Sequence, residues 1–229
     1  MKRTEDKNDI TRVFERKDLH SVIKSYNDAD AYDDYRNLWK KSGEFGPVPD
    51  FPIQLDFELN YSCNFRCPMC TWSAEVTGKY GKETWFDFDV YKEVIDEGVK
   101  KGLKCIRLNY INEPLIRKDL VKFVEYAREA GILDIYMSTN GSLLTEEISK
   151  RLVTSGLTRL QISLDAATEE TFNIIRVGGN FDEVIANVNR FIKIRKEMKS
   201  ELPTLRVNFV QTETNEHEVE DFIDYWKDK

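Results

Sequence analysis

The chain has 229 residues, of which 41% are hydrophobic and 33% charged, and its formal net charge is −7. This composition is typical of a globular protein, and the length allows one large α/β domain or, less readily, two small ones. The acidic balance disfavours nucleic acid as a partner, because phosphates need a basic surface. No apolar run approaches the roughly 20 residues of a membrane span, and the first residues lack the apolar core of a signal peptide. We therefore expect a cytoplasmic protein with no membrane partner.

Residues 1–50 are predicted to form a helical extension and a linker. Acidic and basic residues are evenly mixed there, and apolar residues recur at helical spacing in two groups: Ile10, Val13 and Phe14, then Leu19, Val22 and Ile23. Two glycines and two prolines between positions 43 and 49 then interrupt the pattern. We expect this extension to cover one end of the main domain or to contact a partner.

Residues 51–229 alternate between strand and helix patterns. Helices are predicted over 87–101, around 120–127, over 145–155, around 184–192, and after a capping box formed by Asn215 and Glu218. Strands are predicted at 53–59, 105–110, 134–138, 160–164 and 205–210. Strands separated by helices indicate βα units and a parallel sheet, which right-handed crossovers could curl into an open barrel. Catalytic groups would then gather at the carboxyl ends of the strands.

Three of the four cysteines lie within eight residues, directly after the first predicted strand. Cys63, Cys67 and Cys70 are separated by four and three positions, so a short loop can direct three thiolates to one point. A partial zinc site or a redox pair is the alternative, and a zinc site needs four N or S ligands. The further candidates are distant in the sequence: Cys105, His20 and His217.

The Cys63-x3-Cys67-x2-Cys70 pattern resembles the cluster loop of the radical S-adenosylmethionine (SAM) enzymes. The resemblance implies that the three cysteines hold a [4Fe–4S] cluster whose fourth iron is chelated by SAM. It also implies an enzyme with oxidoreductase or related radical chemistry. SAM would be cleaved reductively to a 5′-deoxyadenosyl radical that abstracts hydrogen from a small-molecule or peptide substrate. An external one-electron reductant of the flavodoxin or ferredoxin type would supply the electron.

Further residues resemble the elements of this family that bind SAM. Glu113 and Pro114, after the second strand, are similar to the family's Gly-Gly-Glu-Pro element, with Ile111-Asn112 in place of the two glycines. The resemblance implies that Glu113 contacts the SAM amino group. Ser163 and Asp165, at the end of the fourth strand, resemble the polar positions near the SAM ribose and carboxylate.

Arg176 resembles the family arginine that pairs with the SAM carboxylate, an interaction that suits the fork of a guanidinium. Asn208, on the fifth strand, is a candidate for a ribose or adenine contact. Met69 stands where relatives place a residue whose backbone meets adenine. Trp72 is expected either to shield the cluster, to line the substrate site, or to pack in the hydrophobic core. Cys105 is interpreted as a buried apolar residue.

The resemblance implies an α/β fold, an open (β/α)6-type partial TIM barrel over residues 51–229. Only five strands are predicted, so either the barrel is truncated after the fifth βα unit or one strand is missed. No cysteine follows Cys105, which excludes an auxiliary cluster held by thiolates of this chain. Two alternatives stay open: a non-catalytic iron–sulfur-binding partner subunit or truncated core, and a cofactor-free α/β binding protein. The resemblance does not choose the substrate, and we favour a peptide or sugar-type oxidation.

Overall fold

A computed structural model describes residues 18–46, 48–71 and 84–229. The predicted helix containing Ile10, Val13 and Phe14 lies outside these residues, as does Trp72. In the described part of the chain, no helix is long and apolar enough to cross a membrane.

The centre of the fold is a parallel sheet whose strands follow one another in chain order. Its strands are β1 (Gln54–Asp56), β2 (Cys105–Arg107), β3 (Asp134–Thr139), β4 (Arg159–Ser163) and β5 (Thr204–Asn208), each paired with the next. Within the described residues the sheet is not closed, since β1 and β5 do not pair with each other. This arrangement confirms the predicted α/β class and the open, partial barrel.

Helices precede the sheet and connect its strands. They are α1 (Leu19–Ser25), α2 (Ala29–Gly43), α3 (Phe88–Lys100), α4 (Leu120–Glu129), α5 (Glu146–Thr154), α6 (Glu169–Ile175), α7 (Phe181–Glu197) and α8 (Val219–Trp226). Side-chain caps explain where several begin: Asp87 accepts from the Asp89 and Val90 amides, and Asn180 accepts from the Glu183 amide. Such caps stabilise a helix by about 1 kcal/mol each.

The predicted capping box at Asn215 and Glu218 is wrong. Neither side chain caps α8, which begins at Val219 after a 3₁₀ turn. The Asn215 amide instead donates to the Asp165 carbonyl oxygen at 2.9 Å, and the Glu218 carboxylate accepts from the Ala167 amide at 2.7 Å. Both side chains are buried. Buried polar groups need hydrogen-bond partners, and these two find theirs in the loop after β4 and not at the start of α8.

The first two strands end earlier than predicted. A carboxylate side chain, and not a neighbouring strand, accepts the backbone hydrogen bonds that would have continued the pairing. After Asp56 the chain leaves the sheet, and the Glu58 carboxylate accepts hydrogen bonds from the amides of Tyr110 (3.1 Å) and Ile111 (3.0 Å). Backbone groups that would continue β2 are therefore satisfied by a carboxylate.

Helices α1 and α2 cover the amino ends of the strands. Their buried side chains pack with the residues that begin or precede the strands, forming a cluster of Ile23, Tyr32, Tyr35, Ile53, Cys105 and Leu202. The Tyr35 hydroxyl donates to Asp134 at 3.2 Å, and Asp134 is paired with Arg159 at 2.7 Å. Cys105 is fully buried in this cluster, as predicted. The cysteine loop lies at the other, carboxyl end.

Candidate active site

The cysteine loop follows β1 and contains Cys63, Cys67 and Cys70 as free thiols. Cys67 is buried, and the other two are partly buried. A tight turn joins the second and third cysteines, because the Cys70 amide donates to the Cys67 carbonyl oxygen at 3.0 Å. The local sequence thus places three free thiols on one short, structured segment.

Burial makes two of these thiols, Cys63 and Cys67, hard to ionise without a cation. It raises the pKa of Cys63 to about 11 and also raises the pKa of Cys67, although Arg176 opposes the latter shift. In the residues that the structure covers, no three Cys, His, Asp or Glu side chains are arranged to hold a metal ion. The thiolates of a four-iron cluster each bind a different iron, so their sulfurs need not converge on one ion.

The segment after α6 braces the cysteine loop. The Arg66 amide donates to the Val177 carbonyl oxygen at 2.7 Å, which joins the two segments through their backbones. A Cβ atom at Gly179 would lie 2.5 Å from Cζ of Phe65, so the loop packs directly on this glycine. The close approach explains why the chain has glycine here.

Glu113 links the loop after β2 to the end of β3. Its buried carboxylate accepts from the Thr139 hydroxyl (2.7 Å), the Asn140 amide (2.7 Å) and the Leu115 amide (3.0 Å). Burial raises the pKa of Glu113 to about 7, although these hydrogen bonds favour the charged form. The Glu113 amide donates to the Ser62 carbonyl oxygen at 3.0 Å, so the residue also borders the cysteine loop.

Asparagine side chains occupy positions that connect the same segments. The Asn60 amide group donates to the Glu113 carbonyl oxygen at 3.1 Å, and Asn112 donates to the Asn60 carbonyl oxygen. Asn140, after β3, donates to Asn64 in the cysteine loop at 2.9 Å. The Asn112 side chain therefore holds the loop after β2 against the segment after β1.

Asp165, Arg176 and Cys67 come together although they lie on three separate segments. Asp165 follows β4, and Arg176 is the C-cap of α6. The Arg176 guanidinium forms an ion pair with Asp165, and its Nη1 donates to the Cys67 sulfur at 3.7 Å. The second Asp165 oxygen accepts from the Val210 amide at 2.7 Å. Burial opposes the charge of Arg176, but Asp165 and Cys67 outweigh this effect and raise its pKa.

The remaining predicted site residues lie on the same end of the sheet. Ser163 and Asn208 are the last residues of β4 and β5 and are register neighbours. The Asn208 carbonyl oxygen accepts from the Asp165 amide at 3.2 Å. Pro114 is buried at the start of a 3₁₀ turn, and Met69 in the cysteine loop is half exposed.

A set of polar residues on one face of the sheet was not predicted from the sequence. Two registered rows lie there, Asp56–Arg107–Tyr136–Arg159 and Ser138–Gln161–Arg206, and the Ser138 hydroxyl donates to Gln161 at 3.1 Å. The barrel interior of comparable folds is usually filled by branched apolar side chains. The signal was present, because polar residues alternate with apolar ones along these strands.

Three buried polar atoms in this region have no hydrogen-bond partner among the described residues: Ser62 Oγ, Asn112 Oδ1 and Arg176 Nε. Such atoms are rare and indicate a ligand or water that completes them. A zwitterion would supply carboxylate oxygens for the arginine and amino protons for the amide oxygen. The methionyl end of SAM, together with three thiols for iron, therefore fits the groups that are present.

Comparison with known proteins gives matches over most of the chain. The profile of the Radical SAM superfamily matches residues 57–225. A probable GTP 3′,8-cyclase from Metallosphaera sedula is 32% identical over 171 residues, which are 75% of this chain and 50% of that protein. A GTP 3′,8-cyclase from Thermodesulfovibrio yellowstonii is 32% identical, over 73% of this chain and 50% of that protein. The chain thus spans about half the length of these relatives.

Solved structures show the same fold at lower identity. Streptococcus suis SuiB bound to S-adenosylmethionine has a TM-score of 0.63 and 15% identity, and the match covers 86% of this chain and 42% of that one. The protein anSMEcpe with bound AdoMet and a peptide has a TM-score of 0.59 and 20% identity, covering 77% of this chain and 48% of that one. These likenesses support the fold class.

Proposed function

Because the chain belongs to the radical SAM superfamily, whose enzymes use a [4Fe–4S] cluster and SAM, we propose that Cys63, Cys67 and Cys70 hold the cluster. When bound, the cluster and SAM together supply a 5′-deoxyadenosyl radical that abstracts hydrogen from the substrate. A flavodoxin or ferredoxin type of protein is the proposed reductant. Buried thiols kept free for iron suit a reducing compartment, so we propose a cytoplasmic location.

The observation that carries this proposal is the convergence of Arg176 on the cysteine loop. The residue lies 109 positions after Cys67, yet its Nη1 donates to that sulfur. A surface arginine at a helix end would have no reason to be held there by Asp165, which is itself buried. A cation fixed beside a cysteine sulfur suits a site that gathers negative charge from thiolates and a carboxylate.

The residues around this pair have proposed roles in binding SAM. The free Nε of Arg176 points to the SAM carboxylate as its partner. We assign the amino group to Glu113 and to the Asn112 oxygen, which lacks a partner in the described structure. Pro114 shapes that loop. Ser163, Asp165 and Asn208 are assigned to the ribose side at the strand ends, and the Met69 backbone to adenine.

The polar face of the sheet, apart from Tyr136 and Arg159 at its covered amino end, is the proposed surface for the substrate. Guanidinium, amide, hydroxyl and carboxylate groups alternate on it, and the Arg107 guanidinium lies 5.3 Å from the Tyr110 ring centroid. This mixture suits a substrate with many polar groups, and we favour a peptide or a sugar over an apolar compound. The GTP 3′,8-cyclase relatives make a nucleoside triphosphate a further candidate, which belongs in any substrate screen.

A second candidate function is a non-catalytic iron–sulfur-binding subunit or truncated core. The observation that favours it is the open sheet of five strands, with no pairing of β5 to β1 in the described residues. Such a chain would bind iron and would not bind SAM. SAM binding separates the two candidates.

The test begins with anaerobic reconstitution by iron and sulfide, followed by electron paramagnetic resonance (EPR) of the reduced protein and calorimetric titration with SAM. We expect about four irons per chain, and a changed EPR signal when SAM is added. Arg176→Ala is expected to weaken SAM binding at least tenfold, because a charged hydrogen bond is lost. Arg195→Ala is the control, since Arg195 donates to the Pro203 carbonyl at the amino end of β5. Unaltered affinity in Arg176→Ala would remove Arg176 from the site.

A further inference from the structure

The position of Arg176 beside Cys67 has a consequence for the iron–sulfur group itself. We propose that the Nη1–H···Sγ hydrogen bond from Arg176 to Cys67 raises the reduction potential of the cluster held by the loop. Arg176 is then a positioning and tuning residue for electron transfer, in addition to its proposed contact with SAM. The inference goes beyond the proposed function, because cluster assembly and SAM cleavage do not require it.

The geometry supports a fixed hydrogen bond. The guanidinium is largely buried, with 14% of the side chain exposed, and its Nη2 is paired with Asp165. Asp165 is held in turn by the Val210 amide at 2.7 Å and by Asn215, which binds its carbonyl oxygen. Arg176 therefore cannot turn away from the sulfur without breaking a buried ion pair.

The direction of the effect follows from electrostatics. Reduction adds an electron to the cluster, and part of that charge resides on the cysteine sulfurs. A donor N–H that faces a sulfur stabilises the more negative state. The reduced cluster would therefore be stabilised relative to the oxidised cluster, which raises the reduction potential. Burial strengthens the effect because water does not screen it.

Asp165 orients the Arg176 guanidinium toward the cysteine loop. Its carboxylate holds Nη2 of Arg176 and leaves Nη1 facing the Cys67 sulfur, so both the charge and the directed N–H of Arg176 act on that sulfur. A lysine at position 176 would retain the charge and lose the planar fork that reaches Asp165 and the sulfur together. Arg176→Lys should therefore lower the potential, but by less than Arg176→Gln, which loses both the charge and the fork.

The experiment is EPR-monitored potentiometry of the reconstituted full chain, without SAM, for wild type, Arg176→Lys, Arg176→Gln and the control Arg195→Gln. We expect Arg176→Gln to show about a tenfold lower ratio of reduced to oxidised cluster at a fixed potential, a negative shift of about 59 mV for one electron, and Arg176→Lys to show a smaller negative shift. The control should match the wild type. Equal potentials in all four proteins, each with full iron content, would overturn the proposal.

A second measurement covers the case in which the variants fail to assemble a cluster. Arg66→Lys protein labelled with ¹⁵N-arginine, in which Arg176 is the labelled residue beside Cys67, is reduced and studied by pulsed EPR. A hydrogen bond to Cys67 predicts a weak nitrogen coupling to the cluster spin, and its absence would overturn the proposal. A wild type without any cluster overturns both this inference and the proposed function, whereas a cluster that cleaves SAM and lacks the coupling overturns this inference alone.

Discussion

Replacing Gly179 by alanine tests whether the segment after α6 holds the cysteine loop in place. The added Cβ would lie 2.5 Å from Cζ of Phe65 and 2.8 Å from Cε1 of Phe172. Carbon atoms in contact stand about 3.5–4.0 Å apart, so the ring of Phe65 must move by about 1 Å. Overpacking of this kind costs about 1–3 kcal/mol of unfolding free energy. Phe65 lies between Cys63 and Cys67, so its displacement carries the loop with it.

The matched control is Gly102→Ala. Gly102 has a φ of +101°, and an added Cβ there would meet no atom within 4 Å. The strain of a left-handed alanine costs about 1–3 kcal/mol, similar to the Gly179 change, but it falls at the end of α3. The two variants thus share a loss of stability and differ in contact with the cysteine loop.

Urea denaturation and iron analysis after reconstitution separate the two effects. We expect both variants to lose comparable unfolding free energy, and only Gly179→Ala to lose cluster content or SAM cleavage. A displacement of about 1 Å at a reacting site can cost roughly 100-fold in rate. If Gly179→Ala binds iron and cleaves SAM like Gly102→Ala, the brace does not position the loop and the reasoning is refuted.

Three further variants test other parts of the structure. Tyr35→Phe removes the hydroxyl that donates to Asp134 at 3.2 Å, so urea denaturation should show a loss of about 1–3 kcal/mol with unchanged iron content. Burial raises the pKa of Glu218, but hydrogen bonds from Thr168 and its neighbours outweigh this and hold the pKa below its ordinary value. The contribution of Glu218 to stability is therefore present above pH 4.5 and lost as pH falls, so acid should destabilise wild type more than Glu218→Gln. Glu113→Gln places an amide among three donors, and we expect a loss of about 1–3 kcal/mol for each buried donor left unsatisfied, measured on the apoprotein.

The parts of the site that depend on local spacing could be predicted from the sequence. Cys63, Cys67 and Cys70 stand on one loop because they are close in the chain. The helices could also be predicted, because their apolar faces and caps are local signals, as at Asp87 for α3. The strand ends were less predictable, because Glu58 takes the amides that would have continued β2.

Roles that depend on distant contacts could not be predicted. Asn215 and Glu218 match a capping box in sequence, yet their burial beneath the loop after β4 gives them other partners. The ion pair of Asp165 with Arg176 likewise needs α6 to end beside the cysteine loop, which no local pattern encodes. Gly179 carries no signal of its own until Phe65 is seen to pack on it.

The central claim is that this chain cleaves SAM through a cluster held by three cysteines. The most direct measurement is chromatography of 5′-deoxyadenosine formed from SAM by the anaerobically reconstituted, dithionite-reduced protein. We predict product from the wild type and none from Cys63→Ala, Cys67→Ala or Cys70→Ala, with Cys105→Ala retaining activity because that thiol lies at the opposite end of the sheet. Product that persists in any of the first three variants, or no product from a wild type with a full cluster, would contradict the account.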